Sequence, residues 1–374
     1  MQNLQNLQKP KFGKTDSLAL EWCKFFSKMV YDYFGDDFDP IEVSSFFSAD
    51  MSVDKMAEMI RKYPTMLPLL RSSGNLPQAM QDFDCILTMM SWGKNKQTYT
   101  FDKDFTDELM KTDNLRFTKD MFDFVPHKFM YIDISDNKDL CDKLLCKGFF
   151  VKIDKVPKSL NKIIVKGTNA SEKLRDCDKW CFHICRISED EYGYNMLYLP
   201  NTDESIEAKD LIKESKIKYS KNNNEYEFDV ELLHKVVQHT VTYLTSTDPD
   251  IRESQLTQRT YREPSKTIKR PKDKFSEVRN WEVGVRYGNA YRKWKSKEEM
   301  NHSSVSTGTG KKVRPHSRRA HYNYYWYGKR DSADRVLKRV WIDELFINVD
   351  KDKTEELPVV IHKVKKSKPP IERD

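Results

Sequence analysis

The densest run of reactive side chains is Lys311-Lys-Val-Arg-Pro-His-Ser-Arg-Arg-Ala-His-Tyr-Asn-Tyr-Tyr-Trp-Tyr-Gly-Lys-Arg330. It holds seven Lys or Arg, two His and five aromatic residues, and no carboxylate. Guanidinium groups bind phosphate or carboxylate through two parallel hydrogen bonds, and Tyr or Trp faces stack on bases. That chemistry suits a single-stranded nucleic acid or an acidic peptide. A Tyr/Trp run is also good strand material whose inward half is simply core. Strand alternation puts Tyr322, Tyr324 and Trp326 on one face and His321, Asn323, Tyr325 and Tyr327 on the other, and one of these faces is expected to be buried. His316 and His321, beside Arg318 and Arg319, are the candidates for an acid and base of a ribonuclease, because imidazole titrates near the right pH. On a single strand, residues an odd number apart would face oppositely. A second patch, from Trp281 to Trp294, interleaves aromatic rings with Arg286, Arg292 and Lys293, and its period does not choose between a helix and a strand entering one.

The cysteine and histidine residues point away from metal chemistry. In Cys177-Asp-Lys-Trp-Cys181-Phe-His183-Ile-Cys185, the side chains of Cys181, His183 and Cys185 would project from one face of a strand. Structural zinc sites instead gather paired ligands from short turns, with a second pair farther along the chain. His183 reads better as a hydrogen-bonded, partly buried residue. His234 and His239 lie about 140° apart on a helix and cannot share a ligand. Ser306-Thr-Gly-Thr-Gly-Lys-Lys312 fails the phosphate-loop pattern, with Val305 where the first Gly belongs and Lys312 where Ser or Thr must reach magnesium. Only 12 of 374 residues are glycine, about half the usual ~7%. Loops that cradle nucleotides need that residue where backbone approaches phosphate. No cofactor and no metal is expected.

Helical periodicity dominates the first ~115 residues. Leu18, Trp22, Phe25, Met29 and Tyr33 recur on one face after the capping candidates Thr15 and Asp16. Further helices are predicted over 52–63 and 78–92, the latter with a stripe of Met80, Phe83, Ile86, Leu87 and Met90. From 127 to 200 the pattern turns to short β-rich runs at 129–134, 148–153, 162–166, 180–187 and 194–199, as in a sheet of mainly antiparallel neighbours. Helical patterns return at 204–215 and 228–245. The second places Val230, Leu233, Val237, Val241 and Leu244 on one face that would cover the sheet. A polar, basic connector, 246–274, reads as a loop or exposed arm. The chain then alternates as strand 321–327, polar turn, and strand 335–341, with 345–349 continuing the sheet.

Charge separates along the chain. Residues 251–374 carry 31 Lys+Arg against 17 Asp+Glu, a net of +14; residues 1–250 carry 34 against 41, a net of −7. A concentrated basic region attracts anionic partners. The alternative is internal, with these arginines pairing the acidic groups of the −7 portion. The seven cysteines are unevenly spaced, the usage of a reducing compartment. No apolar run reaches a membrane span, and the start lacks the apolar stretch of a signal peptide, so a cytoplasmic location is expected.

The run Arg314-Pro-His-Ser-Arg-Arg-Ala-His-Tyr-Asn-Tyr-Tyr-Trp326 resembles the second type V-A anti-CRISPR family, found in phages and other mobile elements, whose signature is Pro-His-x-Arg-Arg-Gly-His-Trp-His-x-x-Trp. Pro315, His316, Arg318, Arg319, His321 and Trp326 fall on it. Val340-Trp341 and Phe346-Ile347-Asn348 match the downstream strands. Similarity extends upstream through Val283–Gly288 with Arg292, Tyr243–Asp250, Tyr131–Ser135 and Lys147–Phe150. Ala320 replaces Gly, Tyr322 replaces Trp, Asn323 replaces the third His, and Asp343 stands where the family has Pro. The resemblance implies an inhibitor that blocks production of a type V-A CRISPR effector. It would act in the bacterial cytoplasm by recognising the effector's nascent N-terminal polypeptide, with loss of its messenger RNA. RNA or the ribosome would be further partners, and a membrane would not.

We therefore expect an α+β protein: a helical N-terminal region, 1–120, then a mainly antiparallel sheet packed with helices and closed by a C-terminal hairpin, 121–350, with a basic tail, 351–374. Arg314, His316, Arg318, Arg319, His321, Tyr322, Trp326, Arg286 and Arg292 are the expected binding residues. Binding is favoured over catalysis, and an RNA-binding protein or ribonuclease of a mobile element is the alternative.

Overall fold

The computed structural model describes residues 17–48, 53–65, 76–118, 121–156, 178–189, 191–201, 206–208, 229–254, 278–302, 316–329, 332, 335–343 and 345–347. Four helices come first: α1 (Leu18–Phe34), α2 (Pro40–Ser48), α3 (Val53–Lys62) and α4 (Leu76–Asn95). The buried stripe of α1 is Ala19, Trp22, Cys23, Phe26 and Val30. It is rotated by about one residue from the predicted face, so Leu18, Phe25 and Met29 sit at its margin and Tyr33 is exposed. The rotation follows from Trp22 and Phe26, whose rings meet Tyr192 at 5.7 and 5.2 Å. Helix α4 carries the predicted stripe but is buried on every side over 83–92, because α1 and α2 pack on one flank and the sheet on the other. Thr15 and Asp16 lie outside the described residues.

The central sheet runs β6-β5-β4-β3-β1-β9-β8, made of β1 (Gln97–Phe101), β3 (Phe129–Asp133), β4 (Gly148–Val156), β5 (Asp178–Ile187), β6 (Tyr192–Asn201), β8 (Ile251–Glu253) and β9 (Arg279–Val283). Four of its six pairings are antiparallel; β1 pairs with β3 and β9 in parallel. Two expectations change here. The N-terminal region is not wholly helical, since β1 lies inside it and occupies the sheet's interior. The connector is not loop throughout, since Ile251–Glu253 forms the edge strand. The five residues Gln-Thr-Tyr-Thr-Phe of β1 are too polar to announce a buried strand. Their burial is imposed by neighbours on both sides, and Gln97 accepts a hydrogen bond from Trp281 Nε1 at 2.7 Å. Residues 206–207 (β7) pair with β2 (Arg116–Phe117) where a helix was expected; Ala208 beyond them is helical and buried, and 204–205 and 209–215 of the predicted helix fall outside the described residues. The run 162–166, connector residues 255–274, the loop 306–312 and the tail 351–374 also lie outside them.

Both faces of β3, β4 and β5 are covered, and these central strands are buried almost end to end. Alternation sends Phe129, Tyr131, Phe150, Cys185 and Ile187 toward the N-terminal helices. The opposite set, Met130, Ile132, Phe149, Val151, Phe182 and Ile184, faces helices α5 (Lys103–Met110), α6 (Lys138–Leu144) and α7 (Val230–Leu244). Helix α7 starts at Asp229, whose side chain accepts from Leu232 N, and it buries the predicted Leu233, Val237, Val241 and Leu244. Burial drives the pKa values of its histidines down, to about 4 for His234 and about 3 for His239, so both are neutral near pH 7.

The first face also buries charge. Lys152 Nζ on β4 lies 2.6 Å from Asp84 Oδ1 of α4, 3.1 Å from Ser44 Oγ of α2 and 3.4 Å from Asp154 Oδ2. Opposite Lys152 across the β4–β5 pair, His183 Nδ1 donates to Asp84 Oδ2 at 2.5 Å, and His183 Nε2 sits 3.3 Å from Asp154 Oδ2. Tyr194 OH donates to the same Asp84 oxygen at 2.5 Å, and Lys128 reaches Asp154 at 2.8 Å. Burial alone would raise both carboxyl pKa values, but Lys152 and His183 outweigh it and hold them well below the usual carboxylate range. Burial and the neighbouring Lys152 would lower the His183 pKa; Cys181, Asp84 and Asp154 together carry it well above 6.5. A histidine whose folded pKa is raised contributes stability that is complete below its unfolded value and is lost as pH climbs through the folded one. Thermal melts from pH 5 to 10 should show stability declining above about 6.5, the ordinary His value, with the decline flattened in His183→Gln; parallel curves for the two proteins would exclude the cluster as its source. Lys152→Ala leaves buried carboxylates short of a partner and should lose about 3–5 kcal/mol in denaturant unfolding.

Candidate interaction surface

The expected hairpin forms, with β11 (His321–Tyr327) antiparallel to β12 (Val336–Ile342) and Tyr322 opposite Trp341. Its base is built into the core. The Tyr322 ring is 1% exposed and meets Trp341 edge-on at 4.8 Å; Trp341 in turn contacts Tyr243 of α7 at 6.0 Å and Phe105 of α5 at 5.9 Å. Arg339 is buried at the same level, donating to Thr242 O at 3.0 Å and to Thr245 Oγ1, with the Tyr322 ring 5.8 Å away. Tyr322, placed among the binding residues by the sequence, is therefore a packing residue.

Burial falls along β11 rather than dividing one face from the other. Tyr324 is half-buried, its hydroxyl accepting from Arg116 N at 2.8 Å. Beyond it the strand outruns the body, and Tyr325, Trp326 and Tyr327 are 41%, 57% and 37% exposed. Arg335 lies 4.7 Å from the Trp326 ring centre and Lys338 lies 4.4 Å from that of Tyr327, so cations already flank two of the rings. Arg319 is exposed beside the base, and His321 Nδ1 donates to Arg319 O at 3.1 Å, which fixes that ring's tautomer when neutral.

His316 and Arg318 lie on β10 (His316–Arg318), which pairs with β13 (Leu345–Ile347) in a separate two-stranded ladder. Residues 345–347 therefore do not continue the central sheet or the hairpin. His316 and His321 stand on different strands, so the alternation argument against their meeting does not apply. Arg314 is outside the described residues. Among the described residues no group of three or more His, Cys, Asp or Glu is arranged to hold a metal, and no helix is long and apolar enough to cross a membrane.

Arg286 and Arg292 answer to carboxylates of the same chain. The patch from 281 to 294 is strand β9 running into helix α8 (Val285–His302). Arg286 Nε lies 2.5 Å from Asp250 Oδ1, while its main-chain N–H meets Asp250 Oδ2 at 2.9 Å. Arg292 reaches Asp102 Oδ2 at 2.9 Å and also Asp104. Both guanidinium pKa values are raised, chiefly by these hydrogen bonds. These two residues join the basic and acidic portions of the chain internally, while their side chains remain about half exposed. The glycines of this stretch serve the same contact. Gly284 sits at φ +73° against the Phe105 ring, and a Cβ on Gly288 would strike the Asp102 carboxylate, which caps α5 by accepting from Asp104 N and Phe105 N. Tyr243, Asp248, Asp250, Arg286, Trp341 and Asp343 line one small cleft here, so three distant stretches of the family resemblance converge in space.

If that contact is one unit, Gly288→Ala and Asp102→Ala should each lower stability by about 1–3 kcal/mol, and the double variant should lose less than the sum. Additive losses in denaturant unfolding would show that the two residues do not act through each other.

No curated protein matches the chain. A solved structure titled "Crystal structure of AcrVA2" aligns with a TM-score of 0.49 and 16% identity over 89% of this chain and 100% of that one, too distant to support an argument. The model of the AcrVA2-like family, described as the anti-CRISPR type V subtype A2 family, matches residues 99–349, well over half of the 374. The match begins within β1 and ends after β13, taking in the whole hairpin and leaving out the four N-terminal helices. The chain belongs to the AcrVA2-like, anti-CRISPR type V subtype A2 family.

Proposed function

We propose that this anti-CRISPR protein blocks production of a type V-A CRISPR effector in the cytoplasm of the bacterial host. Its hairpin surface recognises the effector's nascent N-terminal polypeptide, and loss of the effector's messenger RNA follows. The observation that carries this reading is the exposed Trp326 with Arg335 against its ring, at the end of a strand whose other end is locked in the core. Such a tip offers apolar area and positive charge at low conformational cost, the combination that anchors protein interfaces. Arg319 and Lys338 extend the positive surface, and His316 and Arg318 belong to the neighbouring strand β10.

RNA is the second reading, favoured by the same rings and cations, since phosphate contacts and base stacking use those groups. Recoding the start of the effector gene separates the two. With synonymous codons over the first thirty or so residues, effector protein and mRNA should still fall when the inhibitor is expressed; with a different peptide encoded there, they should not. Relief by synonymous recoding would mean that nucleotide sequence is what is read. An Arg319→Ala, Trp326→Ala double variant with unchanged circular dichroism should lose most of the repression, and full repression by that variant would remove the hairpin tip from the mechanism.

A further inference from the structure

The two outer edges of the hairpin differ. Along an antiparallel strand the main-chain N–H and C=O of successive residues point alternately toward the partner strand and away from it. Asn114 reveals the phase: its Nδ2 donates to Tyr322 O at 2.7 Å, and Tyr322 N donates to its Oδ1 at 3.3 Å. Tyr322 therefore turns both main-chain groups away from β12. On the far side Thr247 N donates to Arg339 O at 2.9 Å, so Arg339, opposite Tyr324, also faces outward, in the same phase. By that alternation the main-chain groups of Tyr324 and Trp326 point off the free side of β11. Asn323 Oδ1 accepts from Tyr324 N at 2.9 Å. Among the described residues, nothing bonds the Tyr324 carbonyl or either main-chain group of Trp326. The Asn114 side chain thus stands where a third strand would begin, and the ladder stops beside the exposed tip.

Open donors and acceptors at a two-residue period are a template for another extended chain. The surroundings specify its charge. Lys329 and Lys338 are exposed at the tip, Arg335 lies against the Trp326 ring, and Arg319 is exposed beside the base. An RNA strand has no row of amide groups at this spacing to pair with the open main-chain groups.

We propose that the outer edge of β11 takes an extended, acidic polypeptide segment as an added strand, bonded to the main chain of Tyr324 and Trp326 and flanked by the tip's rings and cations. The proposal rests on the nascent-polypeptide reading, because a chain still being made offers an unfolded, extended segment.

The test uses the full-length protein and a fluorescent dodecapeptide of alternating Glu and Val, followed by polarisation. Trp326→Pro removes the outward N–H and leaves the β11–β12 bonds, which run through Asn323, Tyr325 and Tyr327, in place; Trp326→Ala removes the ring and keeps the N–H. Binding should weaken at least tenfold more in Trp326→Pro than in Trp326→Ala. The same peptide N-methylated on every amide should not bind the unaltered protein, a result that stands even if Trp326→Pro fails to fold. Equal binding by the two variants, undiminished binding of the methylated peptide, or binding of a fluorescent oligouridylate in place of the peptide would overturn strand addition. Repression of the effector that depends on its N-terminal peptide, with no binding of the dodecapeptide, would defeat the edge and spare the nascent-polypeptide reading. Strand addition in vitro with repression that follows codons instead would do the reverse.

Discussion

The contact of the Tyr322 ring with Trp341 decides what the rest of the C-terminal region can do. It joins β11 to β12 across a register that also buries Arg339, and it ties both strands to α5 and α7 through Phe105 and Tyr243. With that end held, the remaining three residues of β11 project from the body as a short, stiff ribbon. An aromatic tip on a free loop would lose much conformational entropy on binding. A ribbon anchored at its base has already given up most of it.

Charge does two different jobs in this chain. At the α5–α8 contact, arginines from the basic portion close on Asp102, Asp104 and Asp250 from the acidic portion, in partly exposed pairs that contribute little individually. Asp102 is the exception, because it also caps α5 and sits where only Gly288 leaves room. Between the sheet and the N-terminal helices, Asp84, Lys152, Asp154 and His183 are fully enclosed, and each makes the others tolerable. Such a cluster adds less stability than an apolar core of equal volume, but it penalises any arrangement that separates its members. Asp84 and Ser44 lie outside the family match, whereas Lys152, Asp154, His183 and Tyr194 lie inside it. The N-terminal layer is therefore keyed to the family core through polar groups as well as through Trp22, Phe26 and their neighbours.

Among the described residues, basic side chains divide between internal contacts and exposed positions. Arg286, Arg292 and Arg339 are engaged within the molecule, while Arg319, Lys329 and Lys338 are exposed near the projecting ribbon.

Periodicity alone was enough to place helices α1, α3 and α4, the α7 face of Leu233, Val237 and Val241, and the pair of strands on either side of the polar turn after Tyr327, but not α2. These patterns are set by backbone geometry within a few residues, so they are written locally. Tertiary structure alone decided that Tyr322 is core while Trp326, on the same face, is not, because the body ends between them. It also decided that polar β1 lies inside the sheet, that Arg292 belongs to Asp102 across 190 residues, and that His183 meets Asp84 across 99. Burial and ion pairing depend on which distant segments arrive at a residue, and no local spacing of residue types carries that information.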